Sequence, residues 1–148
     1  MYKKMLMLAV ASLVTTSAAF AQVTVADPWI RATVPAQKTA GAFMELRSAK
    51  ATRLVDVQSP VAGRAEVHQM AMEGQTMRMQ TADGIDLPAG QTVKLGAGGY
   101  HVMLFDLKRQ LKDGEQVPLT LTFVGADKKR EAVTVQVPVK PLTYTAAH

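Results

Sequence analysis

Cysteine does not occur anywhere in the 148 residues. Its absence excludes a disulfide framework, a zinc–thiolate site, an iron–sulfur cluster and a thiol nucleophile. A blue-copper electron-transfer centre is excluded as well, because it needs a copper–thiolate bond. The apolar run Met5–Val14 gives about ten residues, against the ~20 needed to span a bilayer. No stretch of a dozen residues keeps a helical period, and there is no internal repeat, low-complexity tract or inter-domain linker. Past residue 21 the only serines are Ser48 and Ser59, both near turns and in no nucleophile motif, so an enzyme is not expected. What remains is a chain of one-domain length, 48% hydrophobic and too apolar to be a disordered tail.

The first residues read as an export signal. Met1-Tyr2-Lys3-Lys4 is a short basic start, and Ala19-Phe20-Ala21 places small residues where a signal peptidase cuts. The expected division is a cleaved signal over residues 1–21 and one domain over 22–148, with a short tail Leu142–His148. No lipobox cysteine follows, so neither a lipid anchor nor stable membrane insertion is expected. Without the signal, fifteen basic residues face twelve acidic ones. Their one run, Lys128-Lys129-Arg130, reads as a solvated hairpin tip rather than a nucleic-acid patch.

The rest of the chain reads as β throughout. Alternating apolar residues mark strands at Val23–Ile30, Ala42–Leu46, Arg53–Gln58, Ala65–Met72, Thr76–Gln80, Thr92–Leu95, His101–Leu107, Leu119–Val124 and Ala132–Val139. Turn residues such as Ser59-Pro60, Glu73-Gly74 and Asp113-Gly114 separate them. This spacing predicts an all-β sandwich or barrel with Greek-key connections. Pro138 points to an edge position for the last strand.

The chemistry lies in the histidines and methionines. Residues i and i+2 of a strand share a face, so His101 and Met103 can reach one atom while Val102 and Leu104 anchor the strand in the core. The segment from His68 to Met79 reads as a hairpin turning near Glu73-Gly74-Gln75. His68, Met70 and Met72 share one face of it, and Met77 and Met79 share another row. Thioether and imidazole are neutral, soft-to-borderline donors that suit Cu(I) better than zinc, calcium or magnesium. Outside the cytoplasm methionine also escapes loss to disulfides. Against this, a strand methionine is usually core filler, and Met44 is read that way, near Phe43 or Leu46.

The spacing His68-x10-Met79-x21-His101-x-Met103 resembles the signature of the periplasmic PCu(A)C family of Cu(I) chaperones. Asp27-Pro28-Trp29-Ile30-Arg31-Ala32-Thr33, Gly84-Ile85-Asp86-Leu87-Pro88-Ala89-Gly90 and Gly98-Gly99-Tyr100-His101-Val102-Met103-Leu104 are similar to that family's marked segments. The resemblance implies a cupredoxin-like β-sandwich in the periplasm, a monomer, holding one Cu(I) through His68, Met79, His101 and Met103. It further implies delivery toward the binuclear copper site (CuA) of a heme–copper oxidase, with an oxidase subunit or a thioredoxin-fold copper protein as partner. Met70, Met72 and Met77 fall outside the shared spacing, and Ala97 stands where many members carry proline. Only His148 lies beyond the domain, so a second, Cu(II)-binding tail is not expected. The alternatives are a periplasmic copper buffer or resistance protein, and a β-module without metal.

Overall fold

Apolar residues alternate with polar ones along most strands, so one face of each turns into a common core and the other meets solvent. The computed structural model describes residues 22–96 and 99–145. Its strands are β1 (Val23–Arg31), β2 (Ala40–Ser48), β3 (Thr52–Gln58), β4 (Ala62–Glu73), β5 (Thr76–Thr81), β6 (Ile85–Leu87), β7 (Thr92–Leu95), β8 (Tyr100–Leu107), β9 (Gln116–Gly125) and β10 (Arg130–Lys140). The expected signal at 1–21, the Ala97-Gly98 part of the glycine loop and His148 lie outside the described residues. Among the described residues no helix is long and apolar enough to cross a membrane.

The all-β expectation holds. The strands follow one hydrogen-bonded path, β5-β4-β8-β2-β1-β10-β9-β3-β6, with β7 also paired to β2. β8 lies between β4 and β2, and β10 beside β1, the non-sequential order that Greek-key connections produce. Leu46, Leu54, Ile85, Leu104, Leu119, Leu121 and Phe123, drawn from both halves of that path, are fully buried in one core. Met44 joins this core with Leu46, as read, whereas Phe43 turns to the other face and packs on Trp29 with ring centroids 4.6 Å apart. Lys128 and Lys129 are exposed in the β9–β10 turn, as a solvated tip should be.

Three details depart from simple alternation. In β1 the register against β2 shifts between Ala26 and Trp29, where Asp27 has φ 48° and Pro28 has no N–H to give. That bulge switches the inward set from Val23 and Val25, opposite Ser48 and Leu46, to Ile30, opposite Ala42. β10 is not an edge strand, which corrects the reading of Pro138. It lies between β1 and β9, but β1 reaches it only at Ile30↔Val139 and Arg31↔Lys140. Proline is tolerated there because, among the described residues, the β1-side pairing begins just after it.

The third departure is β6, which the sequence reading leaves as loop. Three residues are too few for alternation to register, yet Ile85 and Leu87 are buried while Asp86 pairs with Arg53 at 2.6 Å. Gly84, just before it, presses against β3: a Cβ there would stand 2.5 Å from the Leu54 carbonyl oxygen. Backbone cannot yield as a side-chain end can. Gly84→Ala is therefore expected to cost about 1–3 kcal/mol, the usual range for overpacking, read as a lower thermal midpoint. An unchanged midpoint would mean that β6 can lift off β3 freely.

Candidate metal centre

Three adjacent strands build the site. β4 pairs with β8 through Glu66↔Met103 and His68↔His101. It pairs with β5 through His68↔Thr81, Met70↔Met79 and Met72↔Met77. Opposed residues share a face, as do residues two apart on a strand. Glu66, His68, Met70 and Met72 of β4, Met77 and Met79 of β5, and His101, Met103 and Phe105 of β8 thus line the outer face. Val67, Val102 and Leu104 point the other way, into the core. The turn at Gly74-Gln75 fixes this register, and Gly74, with φ 66°, supplies the left-handed conformation its first position needs.

The imidazoles of His68 and His101 are neighbours, with ring centroids 5.9 Å apart and planes tilted by 56°. Met103 lies two residues from His101 on the same strand and diagonal to His68, about 7–8 Å away along the ladder and within reach of a long side chain. These three expected donors come together. Met79 is placed differently: it sits directly opposite Met70 on β5, with β4 between it and the strand of Met103. It is diagonal to His68 and half exposed, at 50%. Neither sulfur-bearing strand position points into the hydrophobic interior. Beside Met103, Gly41 of β2 leaves room that the Phe43 ring fills, since a Cβ there would lie 2.9 Å from Phe43 Cζ.

The hydrogen bonds assign the tautomers. A carboxylate only accepts, so His68 Nε2–H donates to Glu66 Oε2 at 2.8 Å. A carbonyl only accepts, so His101 Nδ1–H donates to the Gly99 oxygen at 3.4 Å. Each ring is left with one bare lone pair: His68 Nδ1 and His101 Nε2 are buried and have no hydrogen-bond partner. An unpaired buried polar atom costs about 1–3 kcal/mol, so two on neighbouring rings need a reason. Metal coordination supplies one. The other nitrogen of a metal-binding histidine is usually held by a carboxylate or carbonyl, as both are here.

Burial pushes the His101 imidazole below its ordinary pKa, partly opposed by the Gly99 hydrogen bond, so the ring is neutral at neutral pH. The hydrogen bond from His68, with the Arg64 guanidinium beside it, holds the Glu66 carboxyl below the usual carboxylate range. Arg64 reaches Glu66 at 3.3 Å and lies over the Phe105 ring at 4.4 Å, and Phe105 in turn flanks His68 at 5.5 Å. Glu66 was not singled out from the sequence. Its signal was there in the Glu66-Val67-His68 spacing, which puts an acceptor on the same face as the imidazole.

Among the described residues no three His, Asp, Glu or Cys side chains gather as a metal site. The soft donors on the same face as the two imidazoles are the thioethers of Met103 on β8 and of Met70 and Met79 on the β4–β5 ribbon. Such a neutral set favours Cu(I).

Comparison with known proteins agrees with this architecture. The LpqE-like family, described as "Putative lipoprotein LpqE-like", matches residues 23–139. "Putative lipoprotein Lxx21020" of Leifsonia xyli subsp. xyli (strain CTCB07) is 29% identical over 115 residues, covering 77% of this chain and 69% of that protein. The copper-bound PCuAC domain from PmoF2 superposes with a TM-score of 0.67 at 25% identity, over 84% of this chain and 97% of that one. The solution structure of CuI-DR1885 from Deinococcus radiodurans is 32% identical, with a TM-score of 0.57 over 80% of this chain and 74% of that one. The PCu(A)C resemblance and its cupredoxin-like fold are borne out, and the chain belongs to the LpqE-like family.

Proposed function

We propose that this protein carries Cu(I), held by His68 Nδ1, His101 Nε2 and the thioethers of Met103 and Met79. The observation that carries the reading is the pair of buried, unpartnered imidazole nitrogens on neighbouring rings. The copper bound by two structural relatives, the PmoF2 PCuAC domain and DR1885, supports it. His68, His101 and Met103 form a preset half-shell. Met79 completes it from the exposed β5 strand, and because it arrives last it is the donor that leaves first when the ion is passed on. Only neutral ligands contact the ion, so its charge is not cancelled and the hold is looser than a thiolate site gives. Transfer then proceeds by exchanging one donor at a time, and needs neither a base nor a nucleophile.

The hydroxyls fit this reading. Ser48 is buried and donates to the Lys50 carbonyl, and Ser59 accepts from the Val61 N–H, so neither bonds to His68 or His101. The proposed setting is the periplasm after cleavage of residues 1–21, with the monomer delivering copper toward the CuA site of a heme–copper oxidase. The recipient is an oxidase subunit or a thioredoxin-fold copper protein. Anaerobic titration against a chromophoric Cu(I) chelator tests the binding, with X-ray absorption expected to show mixed nitrogen and sulfur scatterers. No binding, or sulfur scatterers alone, would overturn the site. Oxidase activity at low copper in a deletion strain separates delivery from storage: untouched activity with lowered copper tolerance favours a buffer.

Glu66 has a testable part in this reading. Glu66→Leu leaves His68 Nε2–H without its acceptor and the ring free to turn. Cu(I) affinity is expected to fall by about 10–100-fold, the usual effect of removing the group that orients a ligand. Glu66→Gln keeps an acceptor oxygen and is expected to recover most of the loss. Equal losses in both variants would show that charge, rather than ring orientation, is what Glu66 provides.

A further inference from the structure

The β4–β5 ribbon gathers its methionines on one face. One face carries Gln69, Ala71, Glu73, Thr76, Arg78 and Gln80, with Arg78 and Glu73 paired at 3.0 Å. The other carries Met70 opposite Met79 and Met72 opposite Met77, beyond the His68 position. Packing does not account for Met72, Met77 and Met79. Every residue of β5 is exposed, and Met72, Met77 and Met79 are 63%, 47% and 50% exposed. They make up three of the five large hydrophobic residues exposed among the described residues. A methionine in its ordinary role fills gaps in a core.

Opposed residues of an antiparallel pair have Cβ atoms about 4.5–5.5 Å apart, so two thioethers can close on one ion between them. Successive pairs lie about 7 Å apart along the ribbon, close enough for a long side chain of one pair to serve the next. No charged side chain shares that face of the ribbon beyond His68. Three or four neutral sulfurs suit Cu(I) and no harder ion.

We infer that Met70, Met72 and Met77 form a second, outer Cu(I) site on the ribbon, placed by the Met70↔Met79 and Met72↔Met77 register and continuous with the histidine pair through Met79. This rests on the copper reading above and extends it to entry and exit. Copper lands on the exposed thioethers, and Met79, shared between the two sets, hands it inward. Each step breaks one copper–sulfur bond as a copper–nitrogen or copper–sulfur bond forms, and copper stays monovalent throughout. Thioethers alone hold the ion less tightly than thioethers with imidazole, so the outer site fills second at equilibrium.

The test is anaerobic titration of the purified protein with Cu(I) itself, followed by chelator competition and by the methionine methyl signals in NMR. Two equivalents are expected, the second weaker, with the Met72 and Met77 methyl signals moving only as it binds. The combined variant Met70→Leu, Met72→Leu, Met77→Leu should keep the first equivalent and lose the second. His101→Ala should retain an equivalent with sulfur scatterers alone. A single tight equivalent that leaves the Met72 and Met77 methyl signals unmoved, or a second one indifferent to the triple substitution, overturns the outer site while leaving the inner one standing. Loss of the tight equivalent from the unaltered protein would instead remove the histidine site. Shifted Met72 and Met77 signals would still report the outer one.

Discussion

Replacing His101 with alanine is expected to weaken Cu(I) binding by more than the ~100-fold that loss of an orienting partner can cost. His101 is 5% exposed, and its Nε2 lone pair has no other use in the fold. Among the proposed donors it is also the one whose geometry is most fully determined. The Gly99 carbonyl sets its tautomer, burial keeps it neutral, and the β4–β8 ladder places it opposite His68. Removing it leaves His68 and Met103 without the third point of their half-shell. The metal-free protein should behave differently from the loaded one. Deleting the ring also removes an unsatisfied buried nitrogen, so the apo variant regains part of the stability that the lost packing costs it. Ligand-linked stabilisation, by contrast, depends on affinity and should largely vanish. Chelator competition and thermal melts with and without Cu(I) read the two effects separately. An unchanged affinity, or a Cu(I)-induced rise in midpoint as large as in the parent, would remove His101 from the ion.

Much of this was legible in the sequence because strand geometry is periodic. Counting by twos from His68 and from His101 gives the correct face for Met70, Met72 and Met103, and Glu73-Gly74-Gln75 marks the turn that sets the hairpin register. What periodicity cannot carry is the order of strands. That β8 lies against β4, so that the two histidines become direct partners, follows from a long-range pairing that no local pattern encodes. The likeness to a known family supplied that step. Periodicity also fails where the backbone breaks it: the Asp27-Pro28 bulge switches the inward set of β1, and β6 is too short to alternate. The same limit explains Met79. Its spacing from His68 fits the family signature, yet the register gives it Met70 as its neighbour, a relation that only the paired strands reveal.

Leu104→Ala is expected to destabilise the fold by about 2–5 kcal/mol while leaving Cu(I) affinity in the folded protein near that of the parent. Leu104 is fully buried on the inner face of β8, one residue from Met103 on the outer face. Truncating it removes apolar area from the core and leaves a cavity where the two halves of the strand path meet. Against a total stability of roughly 5–15 kcal/mol, that is a large fraction. Denaturant unfolding should show a lower midpoint with an unchanged slope. The proposed donors, however, hang from the opposite face, and their positions are fixed by backbone ladders: Ala65↔Leu104 and Glu66↔Met103 on one side, Ala40↔Leu104 and Gly41↔Met103 on the other. A side chain lost from below does not alter those pairings. Copper bound from above should therefore raise the variant's unfolding free energy by as many kcal/mol as it raises the parent's, because linkage depends on affinity and not on starting stability. If affinity instead fell in step with stability, the two faces of β8 would not be independent, and the half-shell would be an induced arrangement rather than one the fold holds ready.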